Sequence, residues 1–398
     1  MGSLTSCNDF LDREPLDKVT PEKFFSAEAD LAAYAINNYK FVTVDDKYGI
    51  NLFGKDNDTD NQASGTSNSF WIPGEKKVAA DRGEWKWEDI RSCNYFFDQV
   101  LPRYEEGAIT GNQDNVKHYI GEMYVNRAYS YFQLFTKFGD LPIVTTALPD
   151  IQGELVEASK RQPRHKVARF IIEDLKKAED MLLNNPPGGK NRISKNVAYL
   201  LHARVALYEA TWEKYHRGTA FVPGGSGWPG KDAQGYDADV EINYFLDEAI
   251  AAYEKLFNGV PSDENAAIEY WTLVARLPAR HNEGITQLKK LNARLPDNVK
   301  LQTALAKQMF GDNKPEEGFA YLEQMSRSAA GRGIAADIWF NEVKSMPVSR
   351  ASVQALQRFL MQFPVGSTSA NARVRSASAA SAAPIRRKVR RSATSPPH

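Results

Sequence analysis

The sequence predicts an all-α chain of stacked helix pairs. Three observations predict it. Apolar residues recur at helical spacing along most of the chain, alternating β-type runs are scarce, and a 34-residue period runs through the second half. Hydrophobic residues make up 42% of the 398 residues, which excludes wholesale disorder. At about 100–200 residues per domain, the length gives two or three domains. No run nears ~18 consecutive apolar residues, so no transmembrane helix is predicted. Two cysteines exclude a disulfide framework and a Cys-type zinc site.

From the N-terminus, Leu4-Thr5-Ser6-Cys7 has the spacing of a bacterial lipobox and marks Cys7 as a lipidation site, although only Met1-Gly2-Ser3 stand where an apolar stretch normally precedes it. Residues 1–20 are read as lipobox remnant and linker. Helices are predicted at about 21–40, 86–102, 113–138, 163–184, 194–216 and 243–257. Within 86–102, Ile90, Cys93, Phe97 and Val100 share one face, so Cys93 is expected to be a buried, inert thiol. The stretch 42–53 fits helix and strand alike. Residues 54–84, 139–162 and 217–240 are rich in Gly, Pro, Asn, Asp and Ser and are predicted to be long irregular loops, which in a compact domain usually carry function.

Further helices are predicted at about 265–277, 281–294, 299–311, 315–328, 333–344 and 349–362. Gly284, Gly318 and Ser352 lie 34 apart, and so do Leu288, Leu322 and Leu356. That is the tetratricopeptide period. Each unit is two antiparallel helices: the small residue lets the second helix approach the first, and the Leu four positions on fills the gap. One pair cannot bury its apolar faces alone, so pairs stack. Leu305 and Ala306 occupy the matching positions of a first helix. From about 366 the chain holds seven basic residues, no acids and mostly Ser, Ala and Pro, and it is expected to be a disordered tail. Its IRRKVRR run is basic enough for nucleic acid or anionic lipid, but a solvated tail is the preferred reading and no nucleic-acid partner is expected.

Charge divides the chain. Residues 1–255 carry 30 basic and 39 acidic side chains, a net of −9; residues 256–398 carry 20 and 11, a net of +9. The domains expected are therefore 21–256, 257–365 and the tail 366–398, between the linker and the C-terminus.

Catalytic and nucleotide motifs fail on context. Gly225-Ser226-Gly227-Trp228-Pro229-Gly230 spells a dinucleotide pattern, but a helix precedes it rather than a strand, and Asp232 would repel phosphate. Asp56, Asp58 and Asp60 alternate like a calcium loop. Asn61 and Ser67 replace its glycine and glutamate, which excludes an EF-hand and leaves a looser calcium site as an alternative; no other metal or cofactor is expected. The six histidines lack zinc spacings. Aromatics are the better clue: Phe70, Trp71, Trp85 and Trp87 lie among amides, carboxylates and hydroxyls, the environment in which a sugar stacks its C–H face and pairs its hydroxyls. Trp85 and Trp87 are assigned to anchoring the next helix. Trp71, with Asp60 and Asn68, is the glycan-binding candidate.

Two resemblances follow. RAYSYFQLFTKFGDLPIV (127–144), WKWEDIRSCNYFFDQV (85–100), the segment 192–216 and NYFLDEAIAAYEKLF (243–257) resemble, in order, the SusD-like proteins, and residues from Leu4 resemble their mature N-terminus. The resemblance covers about 4–256. It implies a non-catalytic outer-membrane lipoprotein that captures oligosaccharide for a TonB-dependent, SusC-like porin. Residues from about 256 to 365 resemble the periplasmic tetratricopeptide region of the cellulose synthase operon C proteins, which implies a periplasmic scaffold for polysaccharide-export proteins. The two resemblances meet near 256, so the chain is expected to be a chimera joined between about Lys255 and Asn258. Glycan capture is the leading expectation, a scaffold or a non-functional fusion the alternatives.

Overall fold

The computed structural model describes residues 24–39, 72–75, 80–81, 83–231, 233–347 and 349–364. Among them are thirteen α-helices and no strand, so the all-α expectation holds. The chain separates into two compact units, residues 1–259 and 260–398.

The first unit contains α1 (Glu28–Asn37), α2 (Glu88–Glu105), α3 (Gln113–Phe138), α4 (Gln152–Ala158), α5 (Arg164–Met181), α6 (Lys195–His216) and α7 (Ala238–Phe257). Helix α3 is its axis. Asn112 starts it by accepting hydrogen bonds from the Asp114 and Asn115 amides, and its first half buries Val116, Ile120 and Met123 in one cluster with Leu31 of α1 and Phe96 and Val100 of α2. A helix buried on several sides carries polar groups into the core, and these need partners. The Arg127 guanidinium donates to both Asp174 oxygens of α5, at 2.7 and 2.8 Å, and to Asn94 Oδ1 of α2 at 2.9 Å. Glu122 accepts from Arg192 at 2.7 Å and pairs with His118 at 3.0 Å. Arg164 of α5 donates to Glu209 of α6 at 2.6 Å.

Cys93 is buried among these helices, and burial pushes its thiol up to about 12, so it is inert as expected. The expected loop 139–162 contains α4, seven residues with none buried; a single exposed turn or two shows no apolar period to read. Helix α7 starts at Ala238 rather than near 243, because Asp237 accepts from the Asp239 and Val240 amides and extends the helix by one turn, which buries Glu241 and Ile242.

The second unit contains α8 (Glu264–Val274), α9 (His281–Arg294), α10 (Val299–Gly311), α11 (Pro315–Met325), α12 (Ala329–Ser345) and α13 (Arg350–Gln362). They form three successive pairs in the 34-residue phase. A Cβ on Gly284 would lie 2.5 Å from the Ala275 amide, and one on Gly318 would lie 2.6 Å from the Phe310 ring, so both positions need a small residue for close approach. The third position, Ser352, is buried and exchanges capping hydrogen bonds with Ser349. Leu288, Leu322 and Leu356 are buried, as are Leu305 and Ala306. Trp339 of α12 stacks on Phe319 of α11 with ring centroids 4.7 Å apart. Helix α12 begins at Ala329, earlier than 333, because Ser328 caps the Gly331 amide and offsets the two glycines of its first turns.

Candidate functional site

The segments entering and leaving α2 and α3 build two clefts in the first unit. Asn94 of α2, held by Arg127, donates to the Val144 and Thr146 carbonyls at 2.9 and 3.1 Å. Tyr131 of α3 donates to the Val144 carbonyl at 3.1 Å and accepts from its amide at 2.8 Å. The chain after α3 is therefore fixed against α2, although it lacks regular structure.

The first cleft, of about 240 Å³, lies between that segment, α4 and the entry to α2. Trp85 and Trp87, both half-buried, line it with Ile90, Val144 and Leu155 beneath and Arg91, Thr146 and Ser159 at its edge. The indoles meet edge to face at 5.4 Å; Trp85 packs on Phe138 at 4.9 Å and Trp87 on Tyr131 at 5.8 Å. The anchoring assigned to these two tryptophans is therefore correct but incomplete, since both also wall a cleft. Arg91 donates to the Leu148 carbonyl at 2.6 Å, and its remaining donors have no partner among the described residues.

The second cleft is larger, about 650 Å³. Asp140, just past the end of α3, organises it. One carboxylate oxygen accepts from the Arg164 amide at 2.9 Å, at the start of α5, and the other accepts from Trp228 Nε1 at 3.0 Å. Burial raises the Asp140 carboxyl above its ordinary value, against the pull of these donors. The loop carrying Trp228 closes on itself: the Ser226 amide donates to the Gly218 carbonyl at 3.0 Å, and Trp212 Nε1 donates to the Phe221 carbonyl at 3.1 Å. A Cβ on Gly230 would lie 2.1 Å from the Trp228 ring, so only glycine lets the chain pass over that indole. The Gly-rich stretch thus places a tryptophan.

Asp60, Asn68 and Trp71, the glycan-binding candidates, lie outside the described residues, as do Cys7 and the Asp56/Asp58/Asp60 calcium candidate. Among the described residues no group of three or more His, Cys, Asp or Glu could hold a metal ion, and no helix is long and apolar enough to cross a membrane. Sequence reasoning passed over Trp228; its signal was an indole between Gly and Pro in a long loop, where no apolar period asks for one.

The model of a SusD-like family, described as starch-binding and associating with the outer membrane, matches residues 9–207, half of the chain. The chain belongs to the SusD-like family. It is 25% identical over 190 residues to SusD-like protein P2 of Formosa agariphila, covering 45% of this chain and 36% of that protein. It is also 50% identical over 127 residues to cellulose synthase operon protein C of Salmonella typhimurium, covering 32% of this chain and 11% of that one. Both resemblances read from the sequence are thus found. The chain spans only these minor shares of its relatives' lengths. A crystal structure of the flexible tandem repeat domain of the bacterial cellulose synthase C protein aligns with 76% of this chain and 93% of its own, at 28% identity and a TM-score of 0.32.

Proposed function

We propose that the chain is a non-catalytic glycan-binding protein of the cell envelope, with the saccharide seated on Trp85 and Trp87. One observation carries this reading: two half-buried indoles, each held by a second aromatic ring, wall a cleft edged by hydrogen-bonding side chains. An indole offers a flat apolar face to sugar C–H groups, and the edge offers donors and acceptors to hydroxyls. Trp71, Asp60 and Asn68 are proposed as further glycan-binding residues on their composition alone. Membership of the SusD-like family supports capture of oligosaccharide for a TonB-dependent porin, and Cys7 is the proposed lipid attachment site at the outer membrane. The test is equilibrium binding of maltoheptaose, cellohexaose and xylohexaose to the full chain. Trp85→Ala weakens the best of them by about ten-fold, ~1–2 kcal/mol of stacking area. Binding of none, or binding untouched by Trp85→Ala and Trp87→Phe, contradicts the proposal.

A second reading rests on the 50% identity to cellulose synthase operon protein C. The second unit then acts as a periplasmic scaffold whose stacked helix pairs dock polysaccharide-export proteins. Co-purification of such proteins with residues 260–398, in the absence of any saccharide binding by the full chain, favours it.

A further inference from the structure

We infer that the cleft around Trp228 binds an acidic saccharide unit, its carboxylate or sulfate held by Arg161, Lys166 and Lys231. This deepens the glycan-binding reading by adding a second subsite of defined charge. The cleft, at about 650 Å³, falls within the range of roughly 300–1,000 Å³ that small-molecule sites occupy. Among the described residues its lining holds four cations, Lys160, Arg161, Lys166 and Lys231, and a single acid, Asp140. Asp140 is one charge against four, and its two oxygens also accept hydrogen bonds from the Arg164 amide and Trp228 Nε1, so it offsets at most one of them. Lys160 is paired with Glu157 at 2.5 Å. No carboxylate among the described residues pairs with Arg161, Lys166 or Lys231. Three like charges around one concavity repel one another, and an anion relieves that repulsion.

The other half of the chemistry is the indole. Trp228 is fixed from both sides, by the hydrogen bond to Asp140 and by the backbone of Gly230 against its ring. A half-buried, immobilised indole beside unpaired cations suits a ligand with an apolar face and an anionic substituent, which describes a uronate or a sulfated sugar. It suits inorganic phosphate poorly, since phosphate has no face to stack. The two clefts also share a wall. Arg161 lines the second cleft while its guanidinium lies 4.6 Å above the Trp85 ring, which lines the first. An acidic unit on Arg161 therefore borders the ring on which a neutral unit stacks. In a chain whose first 255 residues carry a net charge of −9, this basic concavity runs against the surrounding charge.

The test is equilibrium binding of tetragalacturonate, a sulfated carrageenan tetrasaccharide and neutral cellotetraose to the full chain, at low and high salt. We expect at least one of the two acidic probes to bind ten-fold or more tighter than cellotetraose, with an advantage that shrinks as salt screens exposed charges. The pair Lys166→Glu and Lys231→Glu, both at exposed positions, abolishes the advantage and leaves neutral binding unchanged. Trp228→Phe, which keeps an aromatic face, weakens the acidic probe less than the charge reversals do. Which acidic probe wins separates carboxylate from sulfate. Neutral binding that depends on Trp85, without any preference for acid, overturns the acidic subsite and leaves the proposed function standing. Acidic binding lost in the Lys166→Glu, Lys231→Glu pair but indifferent to Trp85→Ala and Trp87→Phe supports the subsite and removes the Trp85–Trp87 site. An acidic preference that survives the charge reversals, or no binding of any probe, overturns the subsite.

Discussion

The two units solve the same problem, packing helix on helix, with different chemistry. In the first unit the ion pairs that link the central helices are inside, although others such as Lys160–Glu157 and Arg217–Asp239 are exposed. The side chains of Arg127–Asp174 and Arg164–Glu209 are 4% and 0% exposed, and His202 lies buried between Glu179 and Glu248. In the second unit most are outside: Lys300–Glu269 is about half exposed on both partners, as is Lys289–Glu317, while the core holds Leu, Phe, Met and Trp339, and only His281–Asp312 among the described pairs is largely covered. An apolar repeat needs only neighbouring faces that fit, so its stability is close to a sum over pairs. A core with buried pairs is less forgiving, because removing one partner strands a charge. The difference also marks where ligand chemistry sits. The buried pairs of the first unit tie α2, α3, α5 and α6 together, and those ties hold the irregular segments that line its clefts.

Breaking a tie is the largest effect expected. Asp174→Ala leaves the Arg127 guanidinium buried without its carboxylate and costs the first unit about 3–5 kcal/mol in urea unfolding. Removal of an exposed partner, in Lys300→Ala, costs within about 0.5 kcal/mol; equal costs for the two would erase the comparison. Leu322→Ala empties a fully buried position in the repeat and costs about 2–5 kcal/mol. We expect two unfolding transitions, one moved by Asp174→Ala and the other by Leu322→Ala. A single transition moved by both would refute the proposed join near Lys255–Asn258.

The apolar side of this contrast was legible in the sequence, and the buried ion pairs were not. The 34-residue spacing of Leu288, Leu322 and Leu356 with small partners states the helix pair almost directly, because a repeat writes the same constraint several times. The amphipathic face of Ile90, Cys93, Phe97 and Val100 did the same for α2. The clefts were legible only as composition. Trp85 and Trp87 looked like anchors because one residue can both anchor and line a cavity, and sequence period reports only the first. Arg161, Lys166, Asp140 and Trp228 lie up to 88 positions apart and meet through contacts, such as that of Trp228 with Asp140, that leave no spacing to read.

The smaller effects concern pH, and they should divide the units again. His165 is buried with Nδ1 unpartnered among the described residues, and burial lowers it to about 4. Its folded value lies below its ordinary 6.5, so the stability it contributes is present above 6.5 and lost as pH falls through 4. Glu213 behaves oppositely. Burial, then the nearby Glu209, pushes it up to about 9 from an ordinary 4.5; the stability it contributes is full below 4.5 and lost as pH rises through 9. Glu213→Gln keeps an acceptor for Tyr236, now 3.3 Å away, and removes that loss. It should raise the first transition at pH 8 to 9 and leave the second unmoved. A drop in the first transition would mean that Glu213 is charged in the folded protein.

The most direct measurement is calorimetric titration of the full chain with its best oligosaccharide, comparing Trp85→Ala in the first unit with Met361→Glu, at an exposed position of the second. We predict a loss of about ten-fold for Trp85→Ala and none for Met361→Glu. Affinity that falls with Met361→Glu and survives Trp85→Ala would put the saccharide on the repeat unit and contradict the account.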